Sequence, residues 1–237
     1  MKLVILSNHD VASYHALSLL LPRLQEHEIQ LMLSSAVGGK KRRAQPLEDL
    51  KAIEQDISFD ALKPLIAGEA IVENAINAEA AVANMQALAP DLIISIRYGG
   101  ILKNDIISIP RCGVINLHSG KLPEYRGVMA TFWAMLNGEN EITATLHYIS
   151  DGTIDTGGVI AEAAVAVNYQ ASYLENVLSV YPGGCKLICD AVEAFARGEA
   201  LEGKIQQGDG GYYTFPEESD LAAFSAKGLS LFTAETQ

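Results

Sequence analysis

Cysteine is scarce in this 237-residue chain: Cys112, Cys185 and Cys189 are too few for a disulfide framework and lack metal-ligand spacing. They read as reduced, mostly buried thiols of a cytosolic protein. No apolar run approaches the roughly 18 residues that a membrane helix needs. The N-terminal MKLVILSNHD carries an apolar run too short for the core of a signal peptide. The glycine-rich fingerprint of a dinucleotide fold is missing from the first strand–helix turn, SNHDVAS. Gly99-Gly100 alone does not supply it, so NAD binding is not expected. Positive charge is also short, with 17 Lys and Arg against 29 Asp and Glu, a net −12. Such a field disfavours nucleic acid and counts against a tRNA substrate. What remains, 49% apolar and 19% charged residues, is a globular rather than a disordered balance. The expectation is a cytoplasmic protein with no membrane contact and no nucleic-acid partner.

Hydrophobic periodicity then orders the chain. KLVILS (2–7) is a continuous apolar run, as in a central parallel strand, and Asp10 is placed to cap the helix that follows. EIQLMLSS reads as a second strand. The polar loop AVGGKKRRAQPLEDL leads into helical segments around 48–55 and 59–67. A helix ending near Pro90, strands over 91–96 and 112–118, and a helix over 128–139 come next. ITATLHYI (142–149) and GVIAEAAVAV (158–167) alternate as strands with one solvated face. SYLENVLSVY and CKLICDAVEAFARG are helical pieces that Pro182-Gly183-Gly184 is expected to kink or break. Strand–helix alternation with a more antiparallel end predicts an α/β domain with a mostly parallel sheet.

Ligands of open α/β sheets bind outside the carboxyl ends of the strands. Three apolar strands end in polar residues there: Ser7-Asn8-His9-Asp10, Arg97-Tyr98-Gly99-Gly100 and Asn116-Leu117-His118. Asn116 and His118 are two apart on a strand and so share a face. An amide N–H can stabilise an oxyanion and an imidazole can handle a proton. A carboxylate to orient the imidazole is available in HYISDGTIDTGGVI, at Asp151 or Asp155. With no activated serine or cysteine motif, direct acyl transfer to a bound amine fits better than a covalent enzyme intermediate.

VINLHSGKLPEYRG followed by HYISDGTIDTGGVI resembles the 10-formyltetrahydrofolate-dependent formyltransferases. That family includes amino-sugar, methionyl-tRNA and glycinamide ribonucleotide enzymes and formyltetrahydrofolate hydrolases. Asn116, His118, Leu122, Pro123, Tyr125, Arg126, Gly127, Asp155, Thr156 and Gly157 match its pattern. SIRYGGIL (95–102) is similar to its pterin-side strand end. The resemblance implies a Rossmann-like open sheet with helices on both faces over residues 1–200. Residues 201–237 are left as a short C-terminal extension. It implies Asn116, His118 and Asp155 as catalytic residues, with a carboxylate favouring the charged imidazole. It implies 10-formyltetrahydrofolate as formyl donor and no metal. Donor contacts fall on Arg97, Tyr98, Gly100, Ile101, Leu102, His147, Ser150 and Asp151. Acceptor contacts fall on Asn8, His9, Lys121, Tyr125 and Arg126.

Several of these residues have plainer readings. Asn8 and His9 are also ordinary helix-capping residues, His147 a core histidine, Asp151 a turn-former, and Tyr125-Arg126-Gly127 a turn. Lys40-Lys41-Arg42-Arg43 is either a solvated loop or a clamp for a phosphate or a folate polyglutamate tail. Tyr212, Tyr213 and Phe215 form either a docked tail or a substrate wall or homodimer contact.

The departures narrow the acceptor. Ser119-Gly120-Lys121 stands where the family has its usual Pro-Ser, the turn between His147 and Asp155 is about one residue longer than the family's, and the first loop, SNHDVAS, lacks a glycine-rich phosphate cradle. At 237 residues the chain is expected to lack the C-terminal domain of methionyl-tRNA enzymes, and no regulatory domain is expected before the first strand. The expected activity is formyl transfer to a primary amine of a small molecule, first a nucleotide-linked amino sugar and next an amino-acid-derived amine. The rivals are a methionyl-tRNA enzyme without its accessory domain, a hydrolase, and a catalytically silent folate-binding protein.

Overall fold

A computed structural model describes residues 1–35 and 43–233. Seven strands form one sheet in the order β3-β2-β1-β4-β5-β7-β8. They are β1 (Lys2–Asn8), β2 (Glu28–Ser34), β3 (Ile71–Val72), β4 (Leu92–Ile96), β5 (Val114–His118), β7 (Glu141–Tyr148) and β8 (Val159–Ala166). The β1, β2, β3, β4 and β5 neighbours pair in parallel, and β7 and β8 run antiparallel. A separate two-stranded ribbon joins β6 (Arg126–Gly127) to β9 (Tyr212–Tyr213).

The helices are α1 (Val11–Leu20), α2 (Gln45–Gln55), α3 (Glu79–Leu88), α4 (Asn104–Ile107), α5 (Ala130–Asn137), α6 (Tyr173–Ser179), α7 (Tyr181–Ala196) and α8 (Glu218–Ala226). Alternation along the apolar strands feeds two cores. Leu3, Ile5 and Ile94 pack on one face with Leu17, Cys185 and Ile188. Val4, Leu6 and Ile93 pack on the other with Met85 and Ile106. The sheet is therefore covered by helices on both faces, as expected. Burial pushes the Cys185 thiol up to about 12, so it is inert packing.

Some local expectations shift. Residues 60–65 form a 3-10 turn rather than an α-helix, with Pro64 inside it. The break between α6 and α7 falls at Val180, not at Pro182-Gly183-Gly184. Pro182 sits in the first turn of α7, where its missing N–H costs nothing. Gly184 stays helical there, and a Cβ would come within 2.8 Å of the Leu117 side chain. Close helix-to-sheet packing, rather than chain breaking, is what this glycine serves. The C-terminal segment docks on the same body, through β9, the Lys204 pairing with Val159, and Phe224 stacked 4.4 Å from Phe132.

Candidate active site

Two charged residues of the site owe their positions to unusual backbone. Arg97 follows β4 with φ 58° and Asp155 sits in the β7–β8 connection with φ 55°. Left-handed backbone at bulky residues persists only where surroundings enforce it, and it clusters at functional sites. Gly157, two residues beyond Asp155, passes so close that a Cβ would fall on the Tyr148 carbonyl oxygen. Only glycine allows that approach, which brings Asp155 back over the end of β5.

Asn116 and His147 are direct cross-strand partners on β5 and β7. The His147 Nδ1 faces the Tyr148 carbonyl at 2.8 Å and so carries a proton. Its Nε2 then accepts from Asn116 Nδ2 at 3.0 Å. Asn116 lines the cleft, and its second amide N–H has no protein partner among the described residues. His118 has the opposite arrangement. Its Nε2–H donates to the Tyr125 carbonyl at 2.7 Å, and its Nδ1 lies 3.5 Å from Asp155 Oδ2. The other Asp155 oxygen is 3.4 Å from His147 Nε2, and Oδ2 also accepts the Gly127 N–H at 2.9 Å. Burial opposes ionisation of Asp155. The charge of His118, that of His147 when its imidazole is protonated, and the Gly127 N–H outweigh it and hold the carboxyl at about 2. The arrangement is an ionised carboxylate between two imidazoles beside an amide donor.

These residues line a cleft of about 780 Å³ at the carboxyl ends of the parallel strands. That is the size of a small-molecule site. Arg97, Tyr98, Gly100, Ile101, Leu102, His147 and Asp151 all line it, as does Asn8. Asn77 holds the 101–103 segment, donating to the Ile101 carbonyl at 2.8 Å and accepting the Lys103 N–H at 2.9 Å. Asp151 is also a turn-former, accepting the Thr153 N–H at 2.7 Å.

Five expectations are corrected. Ser150 is exposed and does not face the cleft. His9 stacks on Phe59 with ring centroids 4.6 Å apart and is not part of the cleft lining. Lys121 is 57% exposed and pairs with Glu124 at 3.0 Å, outside the cleft. The Tyr125 side chain points to Glu139, 2.7 Å from its hydroxyl, and only its carbonyl serves the site. Arg126 donates to the Asp209 carbonyl at 2.7 Å, fastening the ribbon instead of reaching the cleft. Arg97 lines the cleft, but its guanidinium is committed to Asp10, with three contacts of 3.0 to 3.2 Å, and to Glu54 at 3.3 Å.

Sequence reasoning missed the α2 wall and a positioning residue. Leu47, Leu50, Lys51 and Glu54 recur at helical spacing and all face the cleft. Gln206 donates to the Asp155 and Gly157 carbonyls at 2.9 and 2.8 Å, holding the loop from the C-terminal segment. No sequence signal marks it. Tyr212, Tyr213 and Phe215 line the cleft, and the Arg43 guanidinium lies 3.7 Å over the Phe215 ring. Lys40, Lys41 and Arg42 lie outside the described residues.

Residues 17–178 match the formyl transferase family, a span that holds Asn116, His118 and Asp155. The chain belongs to the formyl transferase family. A methionyl-tRNA formyltransferase from Pelotomaculum thermopropionicum is 36% identical over 118 residues. That match covers 49% of this chain and 37% of the relative, so the alignment spans little more than a third of the relative's length. A sugar N-formyltransferase structure from a Shewanella species superposes with TM-score 0.63 at 17% identity, covering 94% of this chain and 79% of that one. An N-formyltransferase from Helicobacter canadensis, in complex with folinic acid and dTDP-3-aminofucose, gives 0.57 at 19% identity, over 93% of this chain and 72% of that one. At these identities the structural likeness is one of fold. No helix among the described residues is long and apolar enough to cross a membrane, and no cluster of His, Cys, Asp and Glu among them is built to hold a metal.

Proposed function

We propose that this protein transfers a formyl group from 10-formyltetrahydrofolate to a primary amine of a small molecule. The observation that carries the reading is the meeting of Asn116, His118 and Asp155 on one wall of a cleft at the strand ends, with His118 Nδ1 3.5 Å from Asp155. Family membership supports the class of reaction. The folinic acid and amino-sugar nucleotide bound by the Helicobacter canadensis protein support a folate donor and a small acceptor.

The cleft has the makings for such a donor. Ile101, Leu102 and Ile149 offer apolar surface beside the Gly99-Gly100 backbone, suited to a flat heterocycle. When bound, the donor supplies an activated formyl carbon. Asn116 is then the amide donor to the formyl oxygen, because His147 fixes one N–H and leaves the other for the cleft. His118 supplies a second donor at Nδ1 when protonated, its Nε2–H being tied to Tyr125. Asp155 stabilises that charge electrostatically and stays ionised itself. As the amine bonds to the formyl carbon and the bond from that carbon to the folate nitrogen breaks, His118 gives its Nδ1 proton to the departing nitrogen and takes up the proton that the amine loses, while Asp155 stays ionised.

The deciding experiment is tetrahydrofolate release from 10-formyltetrahydrofolate with and without added amines, with the formylated product identified by mass. Release that needs no amine makes the protein a hydrolase. Binding of donor with no release under any acceptor makes it a silent folate-binding protein.

A further inference from the structure

The floor of the cleft beneath α2 holds two buried carboxylates that are not equally satisfied. Asp10 caps α1 through Ser13 at 2.7 Å, accepts from Asn8 at 2.7 Å, and takes the fork of Arg97. Its charge is spoken for. Glu54 meets the same guanidinium once, Oε1 to Nη2 at 3.3 Å. Its other oxygen has no hydrogen-bond partner among the described residues, and the side chain, 14% exposed, lines the cleft. Two buried carboxylates thus share the Arg97 guanidinium, Arg43 is a further cation acting on Glu54, and the unpartnered Glu54 oxygen borders the ligand space.

We propose that Glu54 selects the acceptor by receiving a second, non-reacting ammonium group, so that the preferred acceptor is an amino-acid-derived diamine and not a nucleotide-linked sugar. The inference rests on the formyl-transfer reading and names its acceptor class. A carboxylate that is already desolvated gains a strong charge-assisted hydrogen bond when a cation arrives. Apolar Leu47 and Leu50 on the same helical stripe suit the methylene chain of such a molecule. The net charge of −12 draws cations in and repels a diphosphate. Arg97, Asp10, Arg43, Lys51 and Tyr173 are the other charged or titratable groups around the carboxylate. Burial, with Asp10 adding to it and Arg97 opposing it, raises Glu54 to about 7. Binding a cation therefore expels a proton from it near neutral pH.

The test compares formyl transfer to L-lysine, L-ornithine and 1,4-diaminobutane with transfer to L-norleucine and n-butylamine. The expected result is a kcat/KM at least about tenfold higher for the diamines, carried by KM. Glu54→Gln should bring that ratio to within about threefold of one, and Glu54→Asp should restore part of it. Calorimetry of lysine binding in two buffers of different ionisation enthalpy should record proton release at pH 7 from the natural protein and none from Glu54→Gln. Equal use of diamines and monoamines by the natural protein overturns the proposal, as does a preference that survives Glu54→Gln. If no amine is formylated but lysine binding still depends on Glu54, the cation site stands and the formyl-transfer reading fails. Formyl transfer that is indifferent to Glu54 removes the cation site and leaves the formyl-transfer reading in place.

Discussion

Asn116 and His147 face each other across two antiparallel strands, with the amide nitrogen 3.0 Å from the imidazole Nε2. The Tyr148 carbonyl at Nδ1 sets the tautomer, and the tautomer sets which way the amide points. The donor that faces the cleft is thus fixed by a carbonyl outside it.

Replacing His118 by Ala or Asp155 by Asn should lower turnover by at least about a hundredfold, the scale of acid–base catalysis. Affinity for 5-formyltetrahydrofolate should change far less, because Gly100–Leu102 lie on a different loop of the cleft. Tetrahydrofolate release and fluorescence titration together measure this split. Near-normal turnover in both variants would remove the mechanism.

Titration with 5-formyltetrahydrofolate, a stable isomer that transfers its formyl group poorly, should show saturable one-site binding. NAD should show none. The opposite pattern would assign the cleft to a dinucleotide.

Asp155 also links stability to pH. Its folded carboxyl is held at about 2, below the ordinary 3.8. The stability it contributes is complete above about pH 4 and is lost as pH falls through about 2, a difference of roughly 2 kcal/mol. Urea melts of the natural protein and Asp155→Asn should therefore diverge most near neutrality and converge in acid. A gap that is constant with pH would sink this assignment.

Gly120 tests the tightness of the site. A Cβ there would collide with Ala130 and come 2.6 Å from His118 Nε2. Gly120→Ala should cost about 1–3 kcal/mol, the range for overpacking, and should disturb the His118–Tyr125 hydrogen bond. Chemical denaturation and turnover should both report the loss. A variant with full activity and stability would show that the turn has slack.

The charge balance bears on tRNA. Neutralising many phosphates makes affinity fall steeply with salt, and a net −12 gives little with which to do it. The expected outcome is no measurable formylation of methionyl-tRNA at physiological salt, alongside activity on at least one small amine. Efficient formylation of the tRNA would overturn the small-acceptor reading.

The parallel sheet was legible because buried strands are continuous apolar runs, and KLVILS or DLIISI read as little else. A strand's period of two places Asn116 and His118 on one face by itself, while Asp155 was singled out by the family resemblance, and the structure brings its carboxylate to 3.5 Å from His118. Lys121, Tyr125 and Arg126 belong to the same local motif, yet the turn sends their side chains away from the cleft. Motif membership fixes where the backbone goes, while packing against Glu124, Glu139 and Asp209 decides where each side chain points. Glu54 and Gln206 left no trace in sequence. Their roles come from contacts 43 residues away with Arg97 and about 50 residues away with Asp155 and Gly157. The sequence alone therefore determined the strands and placed Asn116 and His118 on one face, since both follow from short-range periodicity. Only the tertiary structure decided the walls of the cleft and the unpartnered Glu54 oxygen beneath α2, because burial and pairing depend on which distant segments meet.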